Sequence, residues 1–561
     1  LVGSEMCIRD RGYGIRALAT NRSHYDGKPD FRTNVIQRIK FPIIMGMKIL
    51  WIKFVNWVKY LFRRPNKALQ KGVSLCLLCL GKIKKSHISL PENFDLERHK
   101  EQYPPQEYGF KHIAFRDFKA LYILNLLAEI PARNSDLIRE DGFVPIHTPT
   151  LRNHLKDCKY YIDYLVNTGV LVCDGQYIIG EKSMWYRWAD PYISEAFHAI
   201  ESEIGNYENS KRDNAEDRKN YPYLFYWYDQ RKLRINPQAY DYAETICKFK
   251  MQDDSHESWD WNRDKNCPKN PRTQYMAALR NINLITEREY GPSIDENVHR
   301  LHSVLTNIQK DLRNFITYNG QPLVSIDIKN CQPYLSCLLL NPRFWQEGAE
   351  LPLTLHNLPA NIQALYQSPE LIDRVKEFFE TLDEKEVAEY IRLVSEGTIY
   401  EQIRDIANRN LQEGQSPIER KDAKILMFYM LFSGNQGQHD NPMINELKRV
   451  FSTRLYPKVA ELFRIIKRKY PDCEMEKPNS RLSRALQSIE STIILHRCCL
   501  RIWEERKQSV PIFTIHDSIV TTREYQDYVY AIMIDEFIKH IGIAPKLSVE
   551  IWCEENVPKF S

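Results

Sequence analysis

The chain has 561 residues, of which 43% are hydrophobic, 27% charged and 12% aromatic; this excludes a mostly disordered or fibrous chain, and at about 150 residues per domain three or four domains are expected. Lys and Arg number 78 and Asp and Glu 73, yet residues 1–85 hold 18 basic against 4 acidic side chains, and the remainder 60 against 69. A basic front before a mildly acidic body points to an anionic partner, nucleic acid or a membrane surface.

Residues 1–95 form a basic amino-terminal segment. Its first residues, LVGSEMCIRDR, resemble a translated sequencing adapter, so Met45 or Met47 is the expected natural start. The apolar stretch 41–62 is interrupted by Lys48, Lys53 and Lys59, and the run 72–81 is half the ~20 residues a bilayer needs. No transmembrane segment is therefore expected. Lys53, Asn56, Lys59 and Arg63 recur at helical spacing, giving a helix that lies on a membrane or docks on a partner. Cys76 and Cys79 form a CxxC without a second pair or nearby histidines, so they read as buried cysteines rather than a zinc site. The scattered, odd-numbered cysteines fit a reducing compartment, and the expected location is cytoplasmic, the host cytoplasm for a phage- or plasmid-borne chain.

Residues 112–187 read as helix, helix, helix, hairpin. FKALYILNLLAEI is an amphipathic helix, TLRNHLKDCKYYIDYLVN gives a short and a longer helix, and Gly169 suits a helix C-cap. Asp174-Gly175 between VLVC and QYII predicts a two-residue hairpin turn. This order resembles a winged helix-turn-helix, with the helix around 156–165 at a DNA groove or the fold serving as a protein-contact module. Region 188–295 reads as a helical thumb-like or linker region, with helices around 190–205 and 236–252 and a loop over 259–271. Asp95-Leu96-Glu97 follows PENF rather than an apolar strand, and is read as a solvated turn.

The chemistry concentrates in 296–561. PLVSIDI is a β-rich run ending in Asp327, and VPIFTI and SIVTT flank His516-Asp517 as a hairpin. Two aspartates 190 residues apart at strand tips can meet in one sheet and hold two divalent ions, one activating a hydroxyl and one neutralising a leaving polyphosphate. Mg2+ suits such a site, with Mn2+ as the alternative. Arg420, Lys424, Phe428 and Phe432 are spaced by four, and on a helix each step drifts only ~40°, leaving one slanted stripe. Two cations and then two aromatic rings match the phosphates, base and sugar of a nucleoside triphosphate. Taken singly, each of these signals also fits a turn aspartate or an amphipathic helix.

Together the segments resemble the motifs of family A, single-subunit right-hand polymerases, the family of bacterial DNA polymerase I, phage DNA polymerases and phage-type RNA polymerases. SIDIKNCQPYL is similar to motif A, RKDAKILMFYMLFSG to motif B and TIHDSIV to motif C; RLHSVLTNIQ and ALQSIESTII resemble the family's primer-contacting segments. The resemblance implies an α+β fold, a right hand with an antiparallel palm sheet and helical fingers and thumb, preceded by the winged-helix-like domain. It implies that Asp327, the Ile328 carbonyl and Asp517 bind two Mg2+ ions, and that Lys424 contacts the triphosphate and protonates pyrophosphate. It places Arg420 on the outer phosphates and Phe428 against the incoming nucleotide. Arg300 and Gln487 would touch the primer–template minor groove, and His516 the primer end.

Departures from the family pattern matter. Gln332 stands where DNA-synthesising members have glutamate, and Phe432 where they have tyrosine, so no hydroxyl holds Gln332 and a looser sugar gate is expected. Ser518 after Asp517 resembles the RNA polymerases, whereas Phe428 resembles the DNA polymerases. The 93 residues from Asp327 to Arg420 imply an insertion in the fingers. The expected activity is a DNA-directed DNA polymerase without proofreading, from a phage or mobile element. It would take primed DNA and nucleoside triphosphates as partners, with a possible replication partner at the amino-terminal domain. The alternatives are a phage-type RNA polymerase and a non-catalytic DNA-binding replication protein.

Overall fold

The computed structural model describes residues 83–559 except 140, 177–182, 194–196, 206–214, 263–266, 410–416, 440 and 472–476. The expectations for the basic front, the stretch 41–62 and Cys76/Cys79 lie outside the described residues. The chain divides into two compact units at 210/211. No described helix is long and apolar enough to cross a membrane.

In the first unit, β1 (Ile83–Pro91) pairs antiparallel with β5 (Phe197–Gly205) in an unbroken nine-residue register. This corrects the helix expected around 190–205, of which, among the described residues, Asp190–Ile193 alone is helical. Ala and Glu in FHAIESEIG favour a helix locally, but a partner strand more than a hundred residues earlier satisfies the backbone instead, with Ile88 opposite Ile200. Asp95 is exposed to solvent as expected, but it caps a helix instead of lying in a turn. Its carboxylate accepts the Arg98 backbone N–H at 3.0 Å and caps the helix Leu96–Gln102.

Between these strands lie α1 (Asp117–Arg133), β2 (Val144–Pro145), α2 (Thr148–His154), α3 (Cys158–Asn167), β3 (Leu171–Cys173) and β4 (Trp185–Trp188). α1 buries Ala120, Ile123, Leu124, Leu127 and Ala128, the stripe its sequence periodicity predicts. Gly169 takes φ 72° just past α3, the left-handed position that terminates a helix without a Cβ clash. The small sheet has the order β2-β4-β3. The expected Asp174-Gly175 turn is not formed. The partner of β3 among the described residues is 186–188, and the Asp174 backbone N–H donates to the Trp185 carbonyl at 3.0 Å, so the connection is longer than two residues. Trp188 and Tyr186 on β4 are buried, and that apolar face selects the partner over the turn propensity.

The second unit is built on a six-stranded antiparallel sheet. Its strands are β6 (Leu233–Ile235), β9 (Ile316–Tyr318), β10 (Gln321–Ile328), β11 (Phe513–Ile515), β12 (Ser518–Thr522) and β13 (Leu547–Trp552). The order is β11-β12-β10-β9-β6, with β13 also pairing β10. β10 is central because PLVSIDI is rich in apolar and β-branched residues and buries Leu323–Ile326 completely or nearly so. α4 (Gln238–Met251) forms where the sequence predicts it, and α5 (Pro271–Thr286) packs on it. The expected loop 259–271 contains a two-residue ladder, Trp261–Asn262 with Cys267–Pro268. A short hairpin, β7 (Ser293–Ile294) and β8 (Leu301–His302), precedes the sheet.

After β10 the chain is helical: α6 (Cys331–Leu339), α7 (Pro369–Glu380), α8 (Glu384–Glu396), α9 (Ile399–Arg409), α10 (Arg420–Phe432), α11 (Pro457–Lys467), α12 (Ser480–Ile493) and, after β12, α13 (Gln526–Ile541). The 93 residues between Asp327 and Arg420 therefore include four of these helices, α6 to α9.

Candidate active site

The β11–β12 hairpin closes on the pair Ile515↔Ser518, leaving His516 and Asp517 as its two-residue loop. His516 takes φ 53°, a left-handed conformation uncommon for a residue with a side chain. Asp327 on β10 is opposite Ser518. The register thus puts Asp327 and Asp517 at the same end of two adjacent strands. β11 and β12 are buried along their whole length, whereas both aspartates are half-buried. Ile328, opposite Leu547, keeps its side chain in the core, so any role there falls to its backbone.

Burial raises the pKa of the Asp327 carboxyl, and the neighbouring Asp517 carboxylate raises it further; the Lys424 ammonium opposes both. Asp517 is likewise raised by burial, against the pull of its own backbone N–H, Arg300 and Lys424. Two carboxylates that resist ionising side by side form a site in want of cations. Among the described residues no group of three or more His, Cys, Asp or Glu side chains clusters as a metal site. The pair fits hard divalent ions that draw their other ligands from backbone, water and substrate phosphate.

The stripe on α10 is a real face of that helix. Ala423, Leu426, Met427, Met430 and Leu431 are buried on the other side, while Lys424, Phe428 and Phe432 are half-buried. Lys424 Nζ lies 5.9 Å from the Phe428 ring centre, and the Phe428 and Phe432 rings are 5.5 Å apart. Arg420 is already engaged: its Nε donates to Glu401 at 2.6 Å, and its guanidinium lies over the Tyr400 ring at 5.2 Å. Both partners come from α9. The other end of α10 is capped from outside. Lys467 Nζ donates to the Met430 carbonyl at 2.5 Å and to that of Ser433 at 3.0 Å, and Asn479 donates to the Phe432 carbonyl at 2.9 Å. Carbonyls that a helix end leaves open are satisfied there by side chains.

Arg300, Gln332 and Glu490 meet beside the aspartates. Gln332 is in the first turn of α6, five residues after Asp327, and its Nε2 donates to Glu490 Oε2 at 2.5 Å. The Arg300 guanidinium forms an ion pair with the same carboxylate, Nη2 to Oε1 at 2.6 Å. Arg300 is 4% exposed and its charge is matched inside the protein, so the open minor-groove contact expected of it is not what this structure presents. Gln332, which no hydroxyl at position 432 can hold, is held by the Glu490 carboxylate from α12. Gln487, one turn before Glu490 on α12, is half-buried. Burial, with the Arg300 and Arg313 guanidinium groups nearby, lowers the His516 pKa to about 3, so the ring is neutral at physiological pH. Neither of its ring nitrogens has a partner among the described residues.

Comparison with protein-family models and with curated proteins gives no match. Among solved structures the chain has a loose likeness to the POL domain of Pol1 from M. smegmatis, solved with DNA primer-template and dNTP. The identity is 11% and the TM-score 0.30, over 59% of this chain and 66% of that one, just under two thirds of its length. A likeness at that level carries no argument, and the site has to be judged on its own geometry.

Judged so, the structure brings Asp327, Asp517, Lys424 and Gln332 into one neighbourhood with Arg300, as their mutual electrostatic influence and hydrogen bonds attest. Sequence reasoning passed over Glu490 and Tyr400. Glu490 is three residues after Gln487, on the same helix face, in a run otherwise lacking charge, SIESTI; an acid so placed was the available signal. Tyr400 is 3% exposed, and it feels the charges of both Arg420 and Asp517. Nothing in its local sequence marks it.

Proposed function

We propose that this chain is a template-dependent nucleotidyltransferase, a DNA-directed DNA polymerase of the family A type that works with two Mg2+ ions. The observation that carries this reading is the convergence of Asp327 and Asp517 at one end of adjacent strands, with Lys424 from the α10 stripe acting on both. Asp327, Asp517 and the backbone at Ile328 would hold the ions. Bound there, divalent ions would lower the pKa of the attacking 3′-hydroxyl and neutralise the departing pyrophosphate.

The remaining roles belong to the chain's own side chains. Lys424 meets the triphosphate and donates a proton to the leaving pyrophosphate. Arg420 takes the outer phosphates by exchanging Glu401 for them; its position at 2.6 Å from a carboxylate supports an oxyanion-binding role. Phe428 and Phe432 offer adjacent ring faces to the base and sugar. Gln332 stands at the sugar. His516, neutral and unpartnered, suits the primer end, where a hydroxyl or phosphate oxygen can use its ring N–H. Gln487 is kept as a minor-groove contact on the half-buried side of α12.

The first unit, whose helix–strand–helix–helix–strand–strand order matches a winged helix, is assigned to engaging duplex DNA or a replication partner. The exposed Arg152, Lys156, Lys159 and Tyr160 around α2 and α3 support the DNA role. The test is primer extension by the purified protein with labelled dNTPs or NTPs and Mg2+. Template-directed addition is expected in the wild type and none in Asp327→Ala or Asp517→Ala, with DNA binding retained in both. Full activity in either variant would refute the reading.

A further inference from the structure

Gln332, Glu490 and Arg300 come from three separate stretches of chain, and all are closed off from solvent. Their exposures are 8%, 1% and 4%. Glu490 uses one carboxylate oxygen for Gln332 at 2.5 Å and the other for Arg300 at 2.6 Å. A glutamine side chain has three rotatable bonds and, unanchored, yields to anything that presses on it. Here, moving the amide aside means breaking a charge-assisted hydrogen bond where no water can replace it. Arg300 in turn keeps the Glu490 oxygens in place.

We propose that Glu490 is a positioning residue for sugar choice: it holds the Gln332 amide fixed beside the nucleotide sugar, so that a ribose 2′-hydroxyl meets a side chain that does not swing away. The proposal rests on the polymerase reading above. It reverses the looser gate expected from the Phe432 substitution, because the anchor has moved from α10 to α12 rather than vanished. A charge-assisted bond lost in a buried site corresponds to about 10- to 100-fold in selectivity.

The test compares kcat/KM for a matched dNTP and NTP at one template position, with urea unfolding of the same proteins. Glu490→Gln keeps an oxygen to accept from Gln332 but removes the charge facing Arg300. The double variant Arg300→Met/Glu490→Leu removes the anchor without leaving a buried cation unpaired. The dNTP:NTP ratio is expected to stay within about 3-fold of wild type in Glu490→Gln although its stability falls. It is expected to drop at least about 10-fold in the double variant although its stability is near wild type. Adding Gln332→Ala to the double variant should lower the ratio no further. Selectivity and stability then run in opposite orders, which a purely structural Glu490 does not produce.

A ratio that follows the urea midpoint, or that is unmoved in the folded double variant, overturns the proposal. Should the double variant not fold, Arg300→Leu/Glu490→Met, which likewise leaves no buried cation unpaired, carries the same expectation for the ratio. A wild type that adds neither nucleotide overturns the polymerase reading itself, whereas primer extension with an unmoved ratio removes only the role of Glu490.

Discussion

Replacing Arg300 by methionine removes one half of the most deeply buried ion pair at the site. The two side chains are 5% and 2% exposed and their charged atoms are 2.6 Å apart. Solvent and salt screen such a pair little. Loss of Arg300 leaves the Glu490 carboxylate with two neutral donors, the Gln332 amide and the Cys331 thiol, and a buried charge without its counter-ion costs about 3–5 kcal/mol. The pH dependence follows from the carboxyl. Burial raises the Glu490 pKa and Arg300 opposes that, so without Arg300 the value rises further. A carboxyl whose folded pKa is raised binds more protons folded than unfolded between its two values, so stability falls as pH rises across that window. The deficit of Arg300→Met should therefore be full at pH 8 and smaller at pH 5. Hydrogen exchange of the α12 and α6 amides along a urea series reads it locally, with a midpoint shift of about 1 M or more expected at pH 8. Arg300→Met/Glu490→Leu should recover most of the loss. A deficit that is the same at both pH values, or one that the double variant does not relieve, would refute the reasoning.

Asp327→Asn or Asp517→Asn should raise metal-free stability by relieving the repulsion between the two carboxylates, while abolishing both nucleotide addition and any Mg2+-dependent rise in Tm; calorimetry with and without Mg2+ checks this. Lys424→Ala is expected to lower kcat, and Arg420→Ala chiefly to raise KM for the nucleotide, as steady-state primer extension would show. Burial lowers the Lys467 pKa to about 7, so the folded protein holds fewer protons than the unfolded one between pH 7 and the ordinary lysine value, and stability should rise with pH there. Lys467→Met should remove that rise and cost about 1–3 kcal/mol by leaving the Met430 and Ser433 carbonyls short of a donor, measured as urea midpoints at pH 7 and 9. Deleting residues 1–210 should leave a chain that still extends primed templates but binds them more weakly in salt titrations; unchanged template binding would assign the first unit to another task.

What the sequence determined by itself is what depends on neighbours along the chain. The periodicity of α1, the glycine after α3, the β-rich runs around Asp327 and Asp517 and the four-residue spacing on α10 are all local patterns, and the structure forms each of them. The pairing of two distant aspartates was also legible, because β-rich runs with an acid at the tip have few ways to share a sheet. The β5 strand was not legible, since FHAIESEIG becomes a strand only by meeting β1. Nor was the partner of β3, where buried aromatics on β4 outweighed a good turn dipeptide. Above all, Arg300 and Gln332 read singly as groove contact and loose gate, and Glu490 is not singled out at all. Only the tertiary structure decided that they bind one another, because burial turns each unpaired polar group into a cost that a partner from another part of the chain has to offset.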